Sequence, residues 1–129
     1  MSVTLYHNPR CSKSRATLAL LETQGVVAKI RLYLQQVPSS DELTDLLSML
    51  GMDDARQLMR QGEEAYKLEN LANTQLSQTE LISAMIKHPK LIERPIVVHQ
   101  GQARIGRHLN QFWRFYNAVP AETEVLTDG

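Results

Sequence analysis

Short apolar runs and helix-spaced apolar positions alternate over the first third of the chain. Residues 3–6 form a short β-prone run that ends at a turn-forming Asn-Pro pair, which predicts a first strand. Residues 12–24 carry leucine and alanine through a helical stretch that stops at Gly25, which predicts a helix. Residues 30–34 begin with apolar and polar positions in alternation, which predicts a second strand. Because a helix-length crossover separates the two strands, we expect them to be parallel.

Capping signals mark the helices in the middle of the chain. A serine followed three positions later by glutamate occurs at Ser39 and again at Ser77, each time ahead of apolar residues at helical spacing. Between these two boxes, Asp53 or Asp54 can cap a short helix that runs through residues 58–59. The middle of the chain is therefore predicted to be helical.

The last third of the chain predicts a hairpin and a final helix. A proline opens a β-prone run at residues 94–98, and Gln100-Gly101 predicts a turn into a strand over residues 103–105. Residues 108–117 predict a helix whose aromatic side chains fit a core face. The order of these elements predicts an α/β fold, and residues 1–129 are expected to form a single domain.

Composition and charge exclude several classes of protein. Of the 129 residues, 43% are hydrophobic and 22% are charged, which is typical of a soluble globular domain. The 14 basic and 14 acidic residues cancel, so no overall charge favours nucleic acid or an anionic membrane. We see no secretory signal and no apolar run long enough to span a membrane. Neither a nucleic acid nor a membrane is expected as a partner. Because a single cysteine cannot form an intrachain disulfide, the reducing cytosol fits best, and a cytoplasmic protein is expected.

Cys11 is the only cysteine of the chain, and it lies at the predicted junction of the first strand and the first helix. Free backbone N–H groups at a helix N-terminus stabilise a thiolate and can also bind an oxyanion. Arg10, Lys13 and Arg15 add three cations, so we expect the pKa of this thiol to be lowered. The polar neighbours argue against the alternative that Cys11 is a small buried apolar residue.

Spacing separates the chemistries that one cysteine can perform. A phosphatase-type loop requires arginine six positions after the cysteine, where this chain has Thr17. A dithiol redox motif requires Cys-x-x-Cys, but the position in question is Ser14. The motif is therefore monothiol. His7, four residues before Cys11, can support the thiol, although its position does not prove that it acts as a base.

The remaining histidines predict no further chemistry. His88 precedes a proline and is expected to end a helix, while His99 and His108 are expected to face solvent. No pair of histidines has metal-ligand spacing with carboxylates, so we expect no metal ion and no bound cofactor.

Residues 6–15, Tyr-His-Asn-Pro-Arg-Cys-Ser-Lys-Ser-Arg, resemble the N-terminal signature of the glutaredoxin-dependent arsenate reductase family. Further matches follow in the family's order at residues 32–34, 38–43, 58–60 and 88–98. The resemblance covers about residues 2–110. It implies a thioredoxin-like α/β fold, in which a mixed sheet carries a helical insertion.

The resemblance also implies a set of site residues. The family's nucleophile and the histidine and serine near it match Cys11, His7 and Ser14. The three arginines that bind the family's substrate match Arg60, Arg94 and Arg107. Arg104 stays open as an alternative to Arg107. In thioredoxin-like folds the residue before the strand-opening proline lies beside the active cysteine, often with a cis bond, which favours Arg94.

The activity implied by the resemblance is reduction of arsenate, or a similar oxyanion, by a monomeric oxidoreductase. Cys11 attacks arsenic, glutathione releases arsenite as a co-substrate, and glutaredoxin resolves the Cys11–glutathione disulfide. A monothiol glutathione-linked thiol transferase is one alternative, but the arginines argue against it because disulfides are neutral. A non-catalytic regulatory relative of the same family is another alternative, but Ser14 replaces the second cysteine that a redox switch requires.

Overall fold

A computed structural model describes residues 3–106, and a four-stranded sheet forms its centre. The strands are β1 (Val3–Tyr6), β2 (Ala28–Arg31), β3 (Ile96–His99) and β4 (Gln102–Ile105). They lie in the order β2-β1-β3-β4. β1 runs parallel to β2 and antiparallel to β3, and β3 and β4 form an antiparallel hairpin. The predicted α/β class and the mixed sheet are confirmed.

The helical insertion lies between β2 and β3. The helices of the described residues are α1 (Ser12–Thr23), α2 (Ser40–Leu50), α3 (Glu64–Leu68) and α4 (Gln78–Lys87), with 3₁₀ turns at Ala55–Leu58 and Pro89–Leu91. The predicted tail helix and His108 lie outside the described residues. Within residues 3–106, no helix combines the length and the apolar character that a membrane span requires.

Both predicted capping boxes are confirmed. Ser39 Oγ accepts a hydrogen bond from the Glu42 N–H at 3.1 Å, and the Glu42 carboxylate accepts one from the Ser39 N–H at 2.9 Å. Ser77 and Glu80 repeat both bonds at the start of α4. Asp54, one of the two predicted candidates, caps the 3₁₀ turn at Ala55–Leu58. These helix starts depend on residues three positions apart, which explains why sequence alone located them.

The second strand is shorter and begins earlier than residues 30–34, so that prediction is wrong in its bounds. Tyr6 pairs with Arg31, and β1 ends there, so no backbone remains for residues 32–34 to pair with. Residues 32–34 are apolar for another reason. Tyr33 is only 1% exposed and packs in the core between the sheet and the helical insertion.

Two apolar clusters bury the two faces of the sheet. The larger cluster lies under the helical insertion and includes Tyr33, Leu43, Leu46, Leu58, Leu81, Met85 and Ile96. The smaller cluster lies under α1 and includes Val3, Leu5, Leu21, Val26 and Val97. His99 is fully buried on the central strand β3, so the expectation that it faces solvent is wrong. This packing fixes the end of β1, from which the cysteine loop leaves.

Candidate active site

A tight turn after β1 places Cys11 at the N-cap of α1. The Cys11 N–H donates to the Asn8 carbonyl at 3.0 Å, and Asn8 Oδ1 accepts from the Arg10 N–H at 3.0 Å. Cys11 has an extended backbone, and its carbonyl accepts the Arg15 N–H at 3.0 Å, which closes the first turn of the helix. As predicted, the thiol stands at the positive end of a helix, whose first turn contains no acidic residue.

His7 and Ser14 lie together behind this turn. His7 Nδ1 and Ser14 Oγ are 2.7 Å apart, and the same Oγ accepts the Asn8 N–H at 3.0 Å. Both side chains are buried, and burial, with a smaller effect of the Arg15 charge, lowers the pKa of His7. Among residues 3–106, neither side chain is hydrogen-bonded to the Cys11 sulfur. A neutral His7 and Ser14 therefore hold the shape of the loop.

Arg94 lies just before β3, the strand that pairs with β1, and it lines the same clefts as Cys11. The Arg94–Pro95 peptide bond is cis, as expected, and the guanidinium, through hydrogen bonding and its charge, lowers the pKa of the Cys11 thiol. No carboxylate of residues 3–106 pairs with this guanidinium, and its Nε is buried without a hydrogen-bond partner there. The guanidinium of Arg94 therefore has N–H groups left with which it can bind an anion next to the sulfur.

Gly106 fixes the position of Pro95. Its N–H donates to the Pro95 carbonyl at 2.6 Å. A Cβ atom at Gly106 would lie 2.2 Å from Pro95 Cγ, far inside van der Waals contact. The close approach of these two backbones therefore requires glycine, and it holds the segment that carries Arg94.

Arg60 reaches the same site from the helical insertion. Its N–H donates to the Leu91 carbonyl at 2.7 Å, next to a bridge between Met59 and Ile92. Its guanidinium lies 2.5 Å from the Glu63 carboxylate, so one of its donors is engaged by an acidic side chain of the protein. The structure therefore brings two of the three predicted arginines to Cys11.

The third predicted arginine, Arg107, lies outside the described residues. Arg104, the alternative, lies on β4 and lines a separate depression with Ser48 and Gly51. One of its donors binds the Ala103 carbonyl at 2.7 Å. The structure does not bring Arg104 to the cysteine site.

The pKa of the Cys11 thiol is lowered, as predicted, but the source of the effect differs from the prediction. Burial by itself raises this pKa. The Ser14 N–H, the Arg94 guanidinium and the Lys13 N–H together outweigh burial. The predicted cations next to Cys11 do not supply the effect, and Arg15 instead donates to the Pro9 carbonyl at 2.9 Å.

Two clefts meet at the cysteine. The first cleft has a volume of about 530 Å³, and its walls include His7, Cys11, Tyr33, Arg60, Lys90 and Arg94. The second cleft is lined by Arg10, Cys11, Lys13, Arg60, Gly62 and Arg94, among others. Both clefts share Cys11 and three arginines, Arg10, Arg60 and Arg94. Small anions can therefore reach the thiolate from either side.

Tyr33 and Glu63 belong to the first cleft, and the sequence analysis did not assign either of them to the site. Burial raises the pKa of Tyr33 to about 12, and the Arg94, Cys11 and Arg60 charges also act on its phenol. Glu63 is the carboxylate that binds Arg60. Tyr33 stands between two leucines in an apolar run, so no sequence signal separated it from an ordinary strand residue.

Comparisons with known proteins agree with this arrangement. The sequence profile of the ArsC family matches residues 6–115. An arsenate reductase from Haemophilus influenzae is 55% identical over 107 residues, which is 83% of this chain and 92% of its own. The uncharacterised protein YfgD from Escherichia coli K12 is 57% identical over 105 residues, covering 81% and 88% of the two chains.

A solved structure extends the similarity to the fold. The arsenate reductase from Vibrio cholerae superposes with a TM-score of 0.81 at 57% identity, over 83% of this chain and 91% of its own. The thioredoxin-like arrangement expected from the sequence is confirmed by this likeness. The matched residues include the cysteine loop and the segment before β3.

Proposed function

Because the chain belongs to the ArsC family, we propose that it is an oxidoreductase that reduces arsenate to arsenite with Cys11 as the nucleophile. One observation carries the proposal: Cys11 and Arg94 line the same two clefts, and Arg94 lowers the pKa of the Cys11 thiol. The proposed substrate-binding residues are Arg60, Arg94 and Arg107.

Arsenate is a negatively charged tetrahedral oxyanion, so a thiolate that attacks it must overcome repulsion between like charges. Arg94 and Arg60 supply fixed positive charge, and the planar guanidinium can hold two oxygens at once. The N–H groups of Ser14 and Lys13 hold the thiolate at the helix N-terminus. The site thus stabilises both the nucleophile and the oxyanion it attacks.

The proposed reaction begins when the Cys11 sulfur bonds to arsenic and one arsenate oxygen leaves as water. The glutathione thiol then attacks the Cys11 sulfur of this adduct, and the sulfur–arsenic bond breaks. Its electron pair stays on arsenic, which is reduced from the +5 to the +3 state and leaves as arsenite. Two thiols are thereby oxidised to one mixed disulfide, which glutaredoxin reduces by thiol–disulfide exchange.

The two clefts support an external thiol as the second reactant. The chain has a single cysteine, so no internal thiol can resolve an adduct on Cys11. With arsenate beside Arg94 in one cleft, a second thiol can approach the sulfur through the other. Arg10 and Lys13 line the second cleft, where their charge suits the anionic glutathione molecule.

The two alternatives from the sequence receive less support. A thiol transferase acting on neutral disulfides would use Arg94 to favour the thiolate, but it would need no second arginine to bind an oxyanion beside it. A regulatory switch of the Cys-x-x-Cys kind requires a second thiol, but Ser14 is buried and hydrogen-bonded to His7.

A coupled assay tests the proposal. Arsenate, glutathione, glutaredoxin, glutathione reductase and NADPH are combined with the protein, and arsenate-dependent NADPH oxidation is measured. We expect turnover that Cys11→Ser abolishes. Arg94→Lys should lower it roughly 10²-fold, because lysine keeps the charge but loses the two-pronged contact.

Arg104→Lys is the matched control, since Arg104 lies away from both clefts. It should retain wild-type turnover. A folded wild-type protein that shows no arsenate-dependent oxidation of NADPH would refute the proposed function.

A further inference from the structure

Tyr33 occupies an unusual position for a core aromatic residue. Its side chain is only 1% exposed, and its ring packs in the larger apolar cluster. It nevertheless forms part of the wall of the first cleft, together with Cys11, Arg60 and Arg94. The charges of these three residues also act on the phenol group, in keeping with its place in the wall of this cleft.

The hydrogen bonds around the phenol leave its proton available. The Asn8 side chain lies near the phenol and acts to lower the pKa of Tyr33. Asn8 Oδ1 accepts the Arg10 N–H, so Asn8 offers the phenol its amide N–H₂ group, which is a donor. Among residues 3–106, no acceptor takes the Tyr33 hydroxyl proton.

A second donor in the same cleft also lacks an acceptor. Arg94 Nε is buried and has no hydrogen-bond partner among the described residues. Buried donors without acceptors are costly, and the cost is recovered when a ligand supplies the acceptor. Arg94 and Tyr33, which lie far apart in the chain, line the same cavity as Cys11, and its volume of about 530 Å³ is large enough for a tetrahedral oxyanion.

We propose that the Tyr33 hydroxyl donates a hydrogen bond to an oxygen of the bound oxyanion, so that Tyr33 is a substrate-binding residue beside Arg94. This inference rests on the proposed function, because it takes arsenate as the oxyanion. A phenol adds a directional donor without adding another cation next to the thiolate. Burial keeps the pKa of Tyr33 at about 12, so the group stays protonated in the neutral range.

The test measures occupancy of the site rather than turnover. Cys11 is alkylated with iodoacetamide in the absence of glutathione, and the arsenate concentration that halves the alkylation rate is determined. Tyr33→Phe removes the hydroxyl and keeps the ring. We expect this variant to need about ten- to a hundredfold more arsenate, the loss typical of a hydrogen bond to a charged group.

Tyr6→Phe is the matched control, because it removes the hydroxyl of a buried tyrosine that lines neither cleft and whose ring lies beside Arg31. It should need the same arsenate concentration as the wild type. The pH dependence of alkylation without arsenate should also be the same in Tyr33→Phe and wild type, since Tyr33 is not a hydrogen-bond partner of the sulfur. Substitution of 3-fluorotyrosine at position 33 keeps the donor and should preserve protection.

Three other results are possible, and each would contradict a different part of the proposal. Equal protection of wild type and Tyr33→Phe would overturn the role of Tyr33 and leave the proposed function standing. A shifted pH profile in Tyr33→Phe would show that the hydroxyl acts on the thiol, and would overturn its assignment to the oxyanion. Absence of protection in the wild type would overturn arsenate as ligand, and the Tyr33 inference with it.

Discussion

The Cys11 thiol owes its acidity to a side chain 83 positions away in the sequence as well as to its own helix. The N–H groups of Lys13 and Ser14 follow directly from the helix start, so sequence analysis could anticipate them. The contribution of Arg94 depends on the antiparallel pairing of β1 with β3. The sequence analysis therefore overestimated the effect of Arg10 and Arg15 on the thiol, because their charges are not among those that lower its pKa.

This difference leads to a prediction for Arg94→Gln. The variant removes the charge and the hydrogen bond that favour the thiolate, so the pKa of Cys11 should rise. Because only the thiolate is alkylated, the midpoint of the iodoacetamide rate should move to higher pH. Arg10→Gln removes a cation that is closer in sequence and should leave the midpoint in place. Equal shifts in the two variants would contradict the assignment to Arg94.

The residues of the site differ in how far the sequence revealed them. Cys11 follows a strand and opens a helix, and Arg94 precedes a proline, so both carry a local signal. Tyr33 and Glu63 carry none. Whether Tyr33 faces a cleft depends on where β2 ends, and β2 ends where its partner β1 does.

At the level of elements, helix α2 is joined to strand β2 by an ion pair. The Glu42 carboxylate completes the capping box of α2 and also binds Arg31, with an N···O distance of 2.8 Å. The Arg31 hydrogen bond and the Ser39 N–H lower the pKa of Glu42 to about 2. Glu80 caps α4 in the same way but has no arginine partner among the described residues. A substitution at Glu80 is therefore a control for the same substitution at Glu42.

We predict that Glu42→Gln lowers the free energy of unfolding at pH 7 by up to about 1 kcal/mol more than Glu80→Gln does. Glutamine can still accept the capping bond in both helices, so the difference isolates the Arg31 pair. The Glu42 side chain is 42% exposed, and solvent screening keeps this value small. Urea denaturation of the two variants and the wild type measures the difference.

The same comparison has a defined pH dependence. The pKa of Glu42 is about 2 in the folded protein and near its ordinary value of 4.5 in the unfolded chain. The stabilisation is therefore complete above about pH 4.5 and is lost as the pH falls toward about 2. The difference between the variants should shrink over that interval. A difference that stays constant from pH 7 to pH 3 would show that the Arg31 pair does not contribute.

Element starts were predicted more reliably than element ends and short exposed helices. The capping boxes at Ser39 and Ser77 are local, and the structure has both. Helix α3 was not predicted, because none of its residues is buried and its sequence therefore shows no apolar periodicity. Its start lies next to Glu63, and so the contact between Glu63 and Arg60 was not predicted either.

At the level of the whole molecule, the site forms where three distant segments converge. The cysteine loop leaves β1, the segment with Tyr33 follows β2, and the arginines come from the helical insertion and the start of β3. The order of elements and the family signature predicted this architecture. The convergence itself depends on two cores that bury opposite faces of one sheet.

If the proposed function holds, the number of cysteines in the chain limits how Cys11 can be regenerated. Many cysteine redox proteins resolve an oxidised thiol with a second cysteine, and this chain has only Cys11. We predict that arsenate and glutathione, without glutaredoxin, leave one glutathione per chain on Cys11. Mass spectrometry of the intact protein and of its peptides measures the adduct and its position. Cys11→Ser should acquire none under the same conditions.

Glutaredoxin should remove this adduct and restore the free thiol, because it exchanges thiols with a mixed disulfide. Thioredoxin alone should support little turnover, since without glutathione there is no second thiol to release arsenite from the Cys11 adduct. Steady turnover with thioredoxin and no glutathione would contradict the proposed resolving step. It would leave Cys11 as the nucleophile, because the first step requires only the thiolate and the arginine donors beside it.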